Sequence, residues 1–471
     1  MGESFASRLL SCGGIPRVSH VTDEEISLLV SGRLQGGARL RAVRHLLSAC
    51  PECLPKSIPY LAVLQGREAE DLPEAEAAVY EPVLDRSIGD AIRHAARMVE
   101  EWEWRDRFLV EVRERKLVGF NAIVDAMDFE MPGRAKIEAV LTLSFEARFR
   151  DPAEMRSLAE AATITAENLG KEPSQRDRYA PAEIADLSSR VWMEVGNARR
   201  RTDDFHGAEE ALDKAHGFCM QGTGDPLLTA RWLDILASLR TDQRHLDEAI
   251  ALLDEAHGIY LKEGETHLAG RALISKGINV AYADRPREAI AWFRQGLSLL
   301  DFQRDPELRL TGDYSLLCAL VESGEYREGR RLLLESGLRQ AFAVEPLKLL
   351  RVRWLEGRIF AGLGKPRWAE QVFSEVEDGF FRAGLEYEAA LVGLEQAGVL
   401  LRLGRAAEVD AVVEEALETF LALQVNREAL RAVQYLRESC AQKAATADLV
   451  RRVVDFLQKL ESRPYLRFVP A

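Results

Sequence analysis

The stretch Val191–Phe218, VWMEVGNARRRTDDFHGAEEALDKAHGF, decides the fold. Gly196 permits close helix approach in a first arm, and Thr202 to Asp204 mark a turn. Ala208, Leu212 and Ala215 then fall at i, i+4 and i+7, one face of a second arm. The stretch therefore predicts a helical hairpin in which small residues meet large ones.

The hairpin recurs. Gly196, Ala237, Gly277, Leu317, Gly357 and Ala397 are spaced 41, 40, 40, 40 and 40, and Ala208, Ala249, Ala289, Gly329, Ala369 and Val409 keep the same spacings. Two registers in step over such a length predict stacked hairpins, each burying its face against its neighbours, rather than one enzyme core. Large residues complete the pattern: Leu212, Leu253, Phe293, Leu333, Phe373 and Val413 follow the second register. A seventh pair is expected at about 427–460, with Leu449, Val453 and Phe456 continuing that register. The ending ESRPYLRFVPA suits a cap.

These units resemble the tetratricopeptide family. The large–apolar–small spacing of its first helix appears as Leu233, Leu236, Ala237 and as Leu273, Gly277; that of its second appears as Ala208/Leu212/Ala215 and Ala249/Leu253/Ala256. Family repeats are about 34 residues long, so the period of 40 is expected to lengthen the second helix and the loop after it. The resemblance covers 186–460. It implies an all-α, right-handed superhelical solenoid whose concave face binds peptides or protein domains. Arg199, Arg200, Arg201, Arg240, Arg271 and Arg309 are then candidates for contacts with partner carboxylates, or solvated surface residues.

Upstream, 135–150 and 153–169 read as a divergent helical pair parted by Asp151-Pro152, and 86–120 as a further helix carrying Trp102, Trp104 and Phe108. The expected organisation is an N-terminal tail (1–17), a small module (18–60), an acidic linker (61–85), a helical region (86–182), the repeats (183–425) and a closing hairpin with cap (426–471).

The chemical exception is the segment SHVTDEEISLLVSGRLQGGARLRAVRHLLSACPECLP, Ser19–Pro55. Thr22 and Glu25 form a capping box, so His20 stands just before a short helix. Gly32 and Gly36-Gly37 are expected to break the chain before a second helix over about 38–48, near whose end His45 lies. Cys50-Pro-Glu-Cys53 makes the next turn. Two thiolates and two neutral imidazoles, His20, His45, Cys50 and Cys53, would complete a neutral tetrahedral Zn2+ site, closed and therefore structural. A redox role for the CxxC and ligation by Cys12 are the alternatives.

The segment resembles the zinc-binding anti-sigma domain, which sequesters transcription sigma factors. His20 matches the upstream histidine of that family; His45, Cys50 and Cys53 approximate its His-x3-Cys-x2-Cys, one residue longer here. The resemblance implies a sigma-like protein partner. Arg33, Arg39, Arg41 and Arg44 would either meet an acidic protein surface or solvate the helix.

Composition sets the remaining bounds. The 471 residues are 47% hydrophobic and 29% charged, as in folded globular proteins, with 76 acidic against 62 basic side chains and a net charge of −14. That balance weighs against a general nucleic-acid surface. No apolar run reaches the ~18–20 residues of a membrane span. MGESFASRLLSCGG lacks a signal-peptide core, and Ala6 stands where a myristoylation pattern needs Ser or Thr, so a cytoplasmic location is expected. Cys219, Cys318 and Cys440 read as core thiols, and Trp192, Trp232, Trp292, Trp354 and Trp368 as filling between hairpins. His216 and His257, in equivalent AHG sites 41 residues apart, read as a structural junction. Without a P-loop, a dinucleotide fingerprint or a GxSxG elbow, the expectation is a non-enzymatic binding regulator; a structural scaffold and a hydrolase with no visible signature are the alternatives.

Overall fold

The computed structural model describes residues 20–30, 34, 36–47, 53, 97–117, 119–127, 130–148, 150–169, 171, 178–463 and 466–469. All its regular elements are helices. The module holds α1 (Asp23–Val30) and α2 (Gly36–Leu47). A helix spanning 97–114 (α3) and the short α4 (Phe120–Asp125) precede a first pair, α5 (Gly133–Ala147) and α6 (Pro152–Leu169).

The repeats follow as first and second arms: α7 (Pro181–Arg201) and α8 (Phe205–Cys219), α9 (Pro226–Asp242) and α10 (Leu246–Lys262), α11 (Thr266–Tyr282) and α12 (Pro286–Leu299). Next come α13 (Pro306–Glu322) and α14 (Tyr326–Glu335) with a short α15 (Leu338–Ala341), then α16 (Pro346–Gly362) and α17 (Pro366–Arg382), and α18 (Glu386–Arg402) and α19 (Ala406–Ala422). α20 (Arg427–Ala441) and α21 (Ala447–Ser462) end the series. The chain forms two compact units, Met1–Asn279 with Ser298–Asp305, and Val280–Leu297 with Pro306–Ala471.

The architecture of 40 residues is simple. α9 and α10 have 17 residues each, as do α17, α18 and α19, and three-residue turns join them. The added length is thus shared by both arms, each about 25 Å long, not placed in the second arm and its loop. The first and third hairpins keep longer exits, 220–225 and 300–305.

Each hairpin turn uses the same termination device. Asp203, Arg244, Asp284, Gly324, Gly364 and Gly404 have positive φ. The amide after each donates to a carbonyl five residues back, from Asp204 to Arg199 (3.0 Å), His245 to Arg240 (2.8 Å) and so on to Arg405 and Leu400 (3.0 Å). This is the Schellman closure, which satisfies carbonyls the helix end would leave open. In the fourth hairpin Gly337, at φ 69°, interrupts the second arm and starts α15.

Both small-residue registers are buried throughout. At Gly196 a Cβ would sit 2.8 Å from Leu212 Cγ and 3.2 Å from the Ala208 carbonyl oxygen, so the close approach read from sequence is real. Leu212, Leu253, Phe293, Leu333, Phe373 and Val413 are all buried, each worth roughly 1.5–3 kcal/mol relative to exposure. His216 stacks on Trp232 (centroids 4.4 Å), and His257 Nδ1 lies 3.1 Å from the Ala269 carbonyl oxygen. Both histidines therefore tie a second arm to the next first arm.

Two side-chain expectations need correction. Trp368 is 61% exposed: α17 buries the stripe Ala369, Val372, Phe373, Val376 and Phe380, and Trp368 falls beside it, against Phe360. Gly36-Gly37 does not break the chain, because α2 begins at Gly36. Of the cysteines, Cys219 is buried while Cys318 and Cys440 are half-buried; burial pushes the Cys318 thiol up to about 12.

Candidate metal centre and binding face

The module is built around its capping box. The Thr22 amide donates to Glu25 Oε2 (2.9 Å) and the Glu25 amide to Thr22 Oγ1 (3.1 Å), so α1 starts where the sequence places it and His20 lies just before it. Glu25 also pairs with Arg41 of α2, locking the two helices. Val21, Ile26, Leu34, Ala42 and Cys53 form the module's small core, with Trp102 of α3 packed against it. α2 also contacts α10 of the second hairpin.

This packing brings His20, His45 and Cys53 together, with donor atoms all within 4.8 Å of one another. His20 Nδ1 is 3.4 Å from Cys53 Sγ, and the two imidazole rings stand at 83° with centroids 5.6 Å apart. Zinc bonds of about 2.0–2.3 Å at tetrahedral angles separate ligand atoms by about 3.5 Å, the spacing of His20 and Cys53, and the three side chains could together hold a metal ion. His45 and Cys53 are buried and His20 is exposed. Burial, then the nearby His20, Arg41 and Arg304, lowers the His45 pKa to about 4, which leaves the neutral imidazole a metal requires. Cys50, the fourth expected ligand, lies outside the described residues.

Of the expected interface arginines, Arg39 is exposed, whereas Arg41 is buried in its pair with Glu25. Arg33 and the Arg44 side chain lie outside the described residues.

The array arginines mostly serve the array itself. Arg199 pairs with Glu160, Arg200 with Asp242, Arg240 with Glu209 and Glu248, and Arg309 with Asp313. Arg271 meets Asp234, whose other neighbour is the Tyr260 hydroxyl at 2.9 Å. These pairings correct the reading of those five as open carboxylate contacts. Arg190–Glu138, Arg231–Glu194 and Arg271–Asp234 make a ladder in which each first arm's arginine pairs with an acid on the preceding first arm. The sequence held that signal: Glu194 and Asp234, like Arg231 and Arg271, are 40 apart.

The fold is an all-helical stack of repeated hairpins. No protein-family description matches the chain, and no curated protein matches it. Solved structures similar to it include the apo form of RapI, at 11% identity and TM-score 0.49 over 68% of this chain and 86% of that one. NprR in complex with its cognate peptide NprX matches at 16% identity and TM-score 0.42, over 70% and 89%. BtubC from P. vanneervenii matches at 16% identity and TM-score 0.41, over 51% and 92%. Among the described residues no helix is long and apolar enough to cross a membrane.

The second unit holds a feature the sequence reading missed. α21 does not continue the row of second arms: it packs on α20 and, more extensively, on the first arm α18. Its connection from α20 runs over five residues, 442–446, against three, 403–405, between α18 and α19. The longer link lets α21 cross to the first-arm side. In the tail, Phe468 packs against Tyr435 and Phe456 and its amide donates to Glu428 (2.9 Å).

Proposed function

We propose that this chain is a protein- or peptide-binding regulator, a tetratricopeptide-like right-handed solenoid whose N-terminal module is held by a structural zinc ion. The observation that carries the reading is the convergence of His20, His45 and Cys53 in a module packed on α3 and α10. With Cys50 as the fourth ligand the donor set would be closed, stabilising the fold and keeping no open position for activating water. It therefore favours a binding module over a hydrolytic centre. The array supplies the extended surface on which repeat proteins recognise partners.

The module's resemblance to the anti-sigma domain supports a sigma-like factor as the partner, met by the exposed side of α2 at Arg39. Full-length chain carrying Arg39→Glu should lose capture of that partner while its zinc content stays unchanged. Capture that persists would remove the anti-sigma reading and leave an adaptor whose module only tethers the array. Turnover of a substrate by the isolated chain would overturn both.

A further inference from the structure

The first arms of the second unit carry a helix of the same chain. α21 passes from Gly398 on α18, past Arg358 on α16, to the turn that follows α11. At Gly398 an added Cβ would meet Val450 Cγ1 at 3.3 Å, so the missing side chain is the seat for Val450. Leu449, Val450, Val453, Val454, Leu457 and Leu460 are buried, and they divide between α20 and the first-arm row.

The polar contacts along this path flank an apolar seam in which α21 shares one buried cluster with α18, α19 and α20. Arg358 stands 3.6 Å from Glu395 and 3.9 Å from Asp455, and Gln458 Nε2 is 3.4 Å from Glu395. The Tyr387 hydroxyl donates to the Leu457 carbonyl (3.4 Å), Lys459 pairs with Asp284 (2.9 Å), and Arg463 donates to the Tyr282 carbonyl (3.1 Å). Asp455 and Lys459 keep nearly half their side-chain surface in water. A cavity of about 80 Å³ remains beside Val450 and Val454. α18 also packs extensively against its neighbours α17 and α19.

We infer that this first-arm row is a helix-docking groove and that α21 is its intramolecular occupant. The partner that fits is an amphipathic helix with valine or leucine at i, i+3/i+4 and i+7 and one carboxylate placed for Arg358. α21 is the template for that chemistry, and the charge of Arg358 selects the acid. Joined by five residues, α21 acts at an effective concentration in the millimolar range, so the groove is closed until α21 is loosened. The inference deepens the protein-binding reading, but its test needs no native partner, so it fails or stands separately from partner capture.

The probe is a fluorescein-labelled peptide of residues 445–463, ATADLVRRVVDFLQKLESR. Full-length chain with Val450→Asp and Val454→Asp should bind it about a hundredfold or more tighter than the unaltered chain, read by anisotropy. Adding Arg358→Glu should weaken that binding about tenfold, and a peptide carrying Asp455→Lys should restore it. In the unaltered chain, α21 amides should exchange with solvent at least tenfold faster than those of α18. A folded double variant that ignores the peptide overturns the proposal. So does a double variant that loses helix well beyond α21, or equal exchange in α21 and α18, since either makes α21 part of the core.

Discussion

His20 Nδ1 and Cys53 Sγ, 33 residues apart in sequence, lie 3.4 Å from each other. Such a separation matches that of two ligands on one tetrahedral zinc, and buried His45 brings a third potential metal ligand within 4.8 Å. Freshly purified chain is expected to carry about one zinc per molecule by elemental analysis. Cys53→Ser and His45→Ala should each weaken zinc retention by tenfold or more, and chelation should expose the module to proteolysis while the repeats resist. Zinc content indifferent to both substitutions would dismiss the site.

Gly196 sets the spacing of its hairpin. Alanine there gains about 1 kcal/mol of helix propensity, yet its Cβ would press on Leu212 Cγ and the Ala208 carbonyl. Overpacking of this sort costs about 1–3 kcal/mol. Gly196→Ala should therefore lower the thermal midpoint. Leu212→Ala in the same chain should offset only part of the loss attributable to the clash, because the Ala208 carbonyl cannot move aside. A more stable Gly196→Ala would show that the arms can separate freely.

The repeat was legible because each hairpin buries the same small and large positions every 40 residues, which is a local, periodic constraint. The capping box at Thr22 and Glu25 was legible for the same reason. What could not be read was set by pairing between hairpins. Arg199, Arg200, Arg240 and Arg271 look like free surface charges in one dimension, and only stacking reveals their carboxylates. The apolar spacing of Leu449, Val453 and Phe456 says that α21 has a buried face. It does not say whether a second-arm or a first-arm row covers that face; the two additional residues in 442–446 were the available clue. Trp368 failed because one position of helical phase separates a buried stripe from solvent.

Arg271 and Asp234 join consecutive first arms with both side chains largely removed from water. Asp234 also accepts from Tyr260. Breaking such a pair by removing one member costs about 3–5 kcal/mol, because the other charge stays buried. Arg271→Leu should destabilise the first unit by that order, and Arg271→Leu with Asp234→Asn should recover a substantial part of it. Denaturant melts of the two variants give the comparison. Equal stability of Arg271→Leu and the unaltered chain would mean that the ladder is ornamental.

Glu395 makes the α21 contact pH-dependent. Burial raises its carboxyl from 4.5 to about 7, against the opposing pull of Arg358; Asp455 adds to the rise, and Trp354 and Gln458 oppose it. Arg358 is itself shared with Glu322 and Asp455, and Lys459 is paired with Asp284. With the folded pKa above the unfolded one, the folded chain holds a proton that the unfolded chain releases between about pH 4.5 and 7. The protonated carboxyl's relative stabilisation is present below that window and lost as pH rises through it, on the order of 3 kcal/mol in all. Glu377, raised to about 7 by burial and by Glu415 and Asp378, slopes the same way, so only a difference between variants isolates Glu395. The second unit should accordingly hold α21 more firmly at pH 5 than at pH 8, measured by exchange of α21 amides after correction for the intrinsic pH effect. Glu395→Gln should flatten that difference while leaving the Glu377 contribution to the global melt in place. An unchanged pH slope in Glu395→Gln would place the titrating group elsewhere.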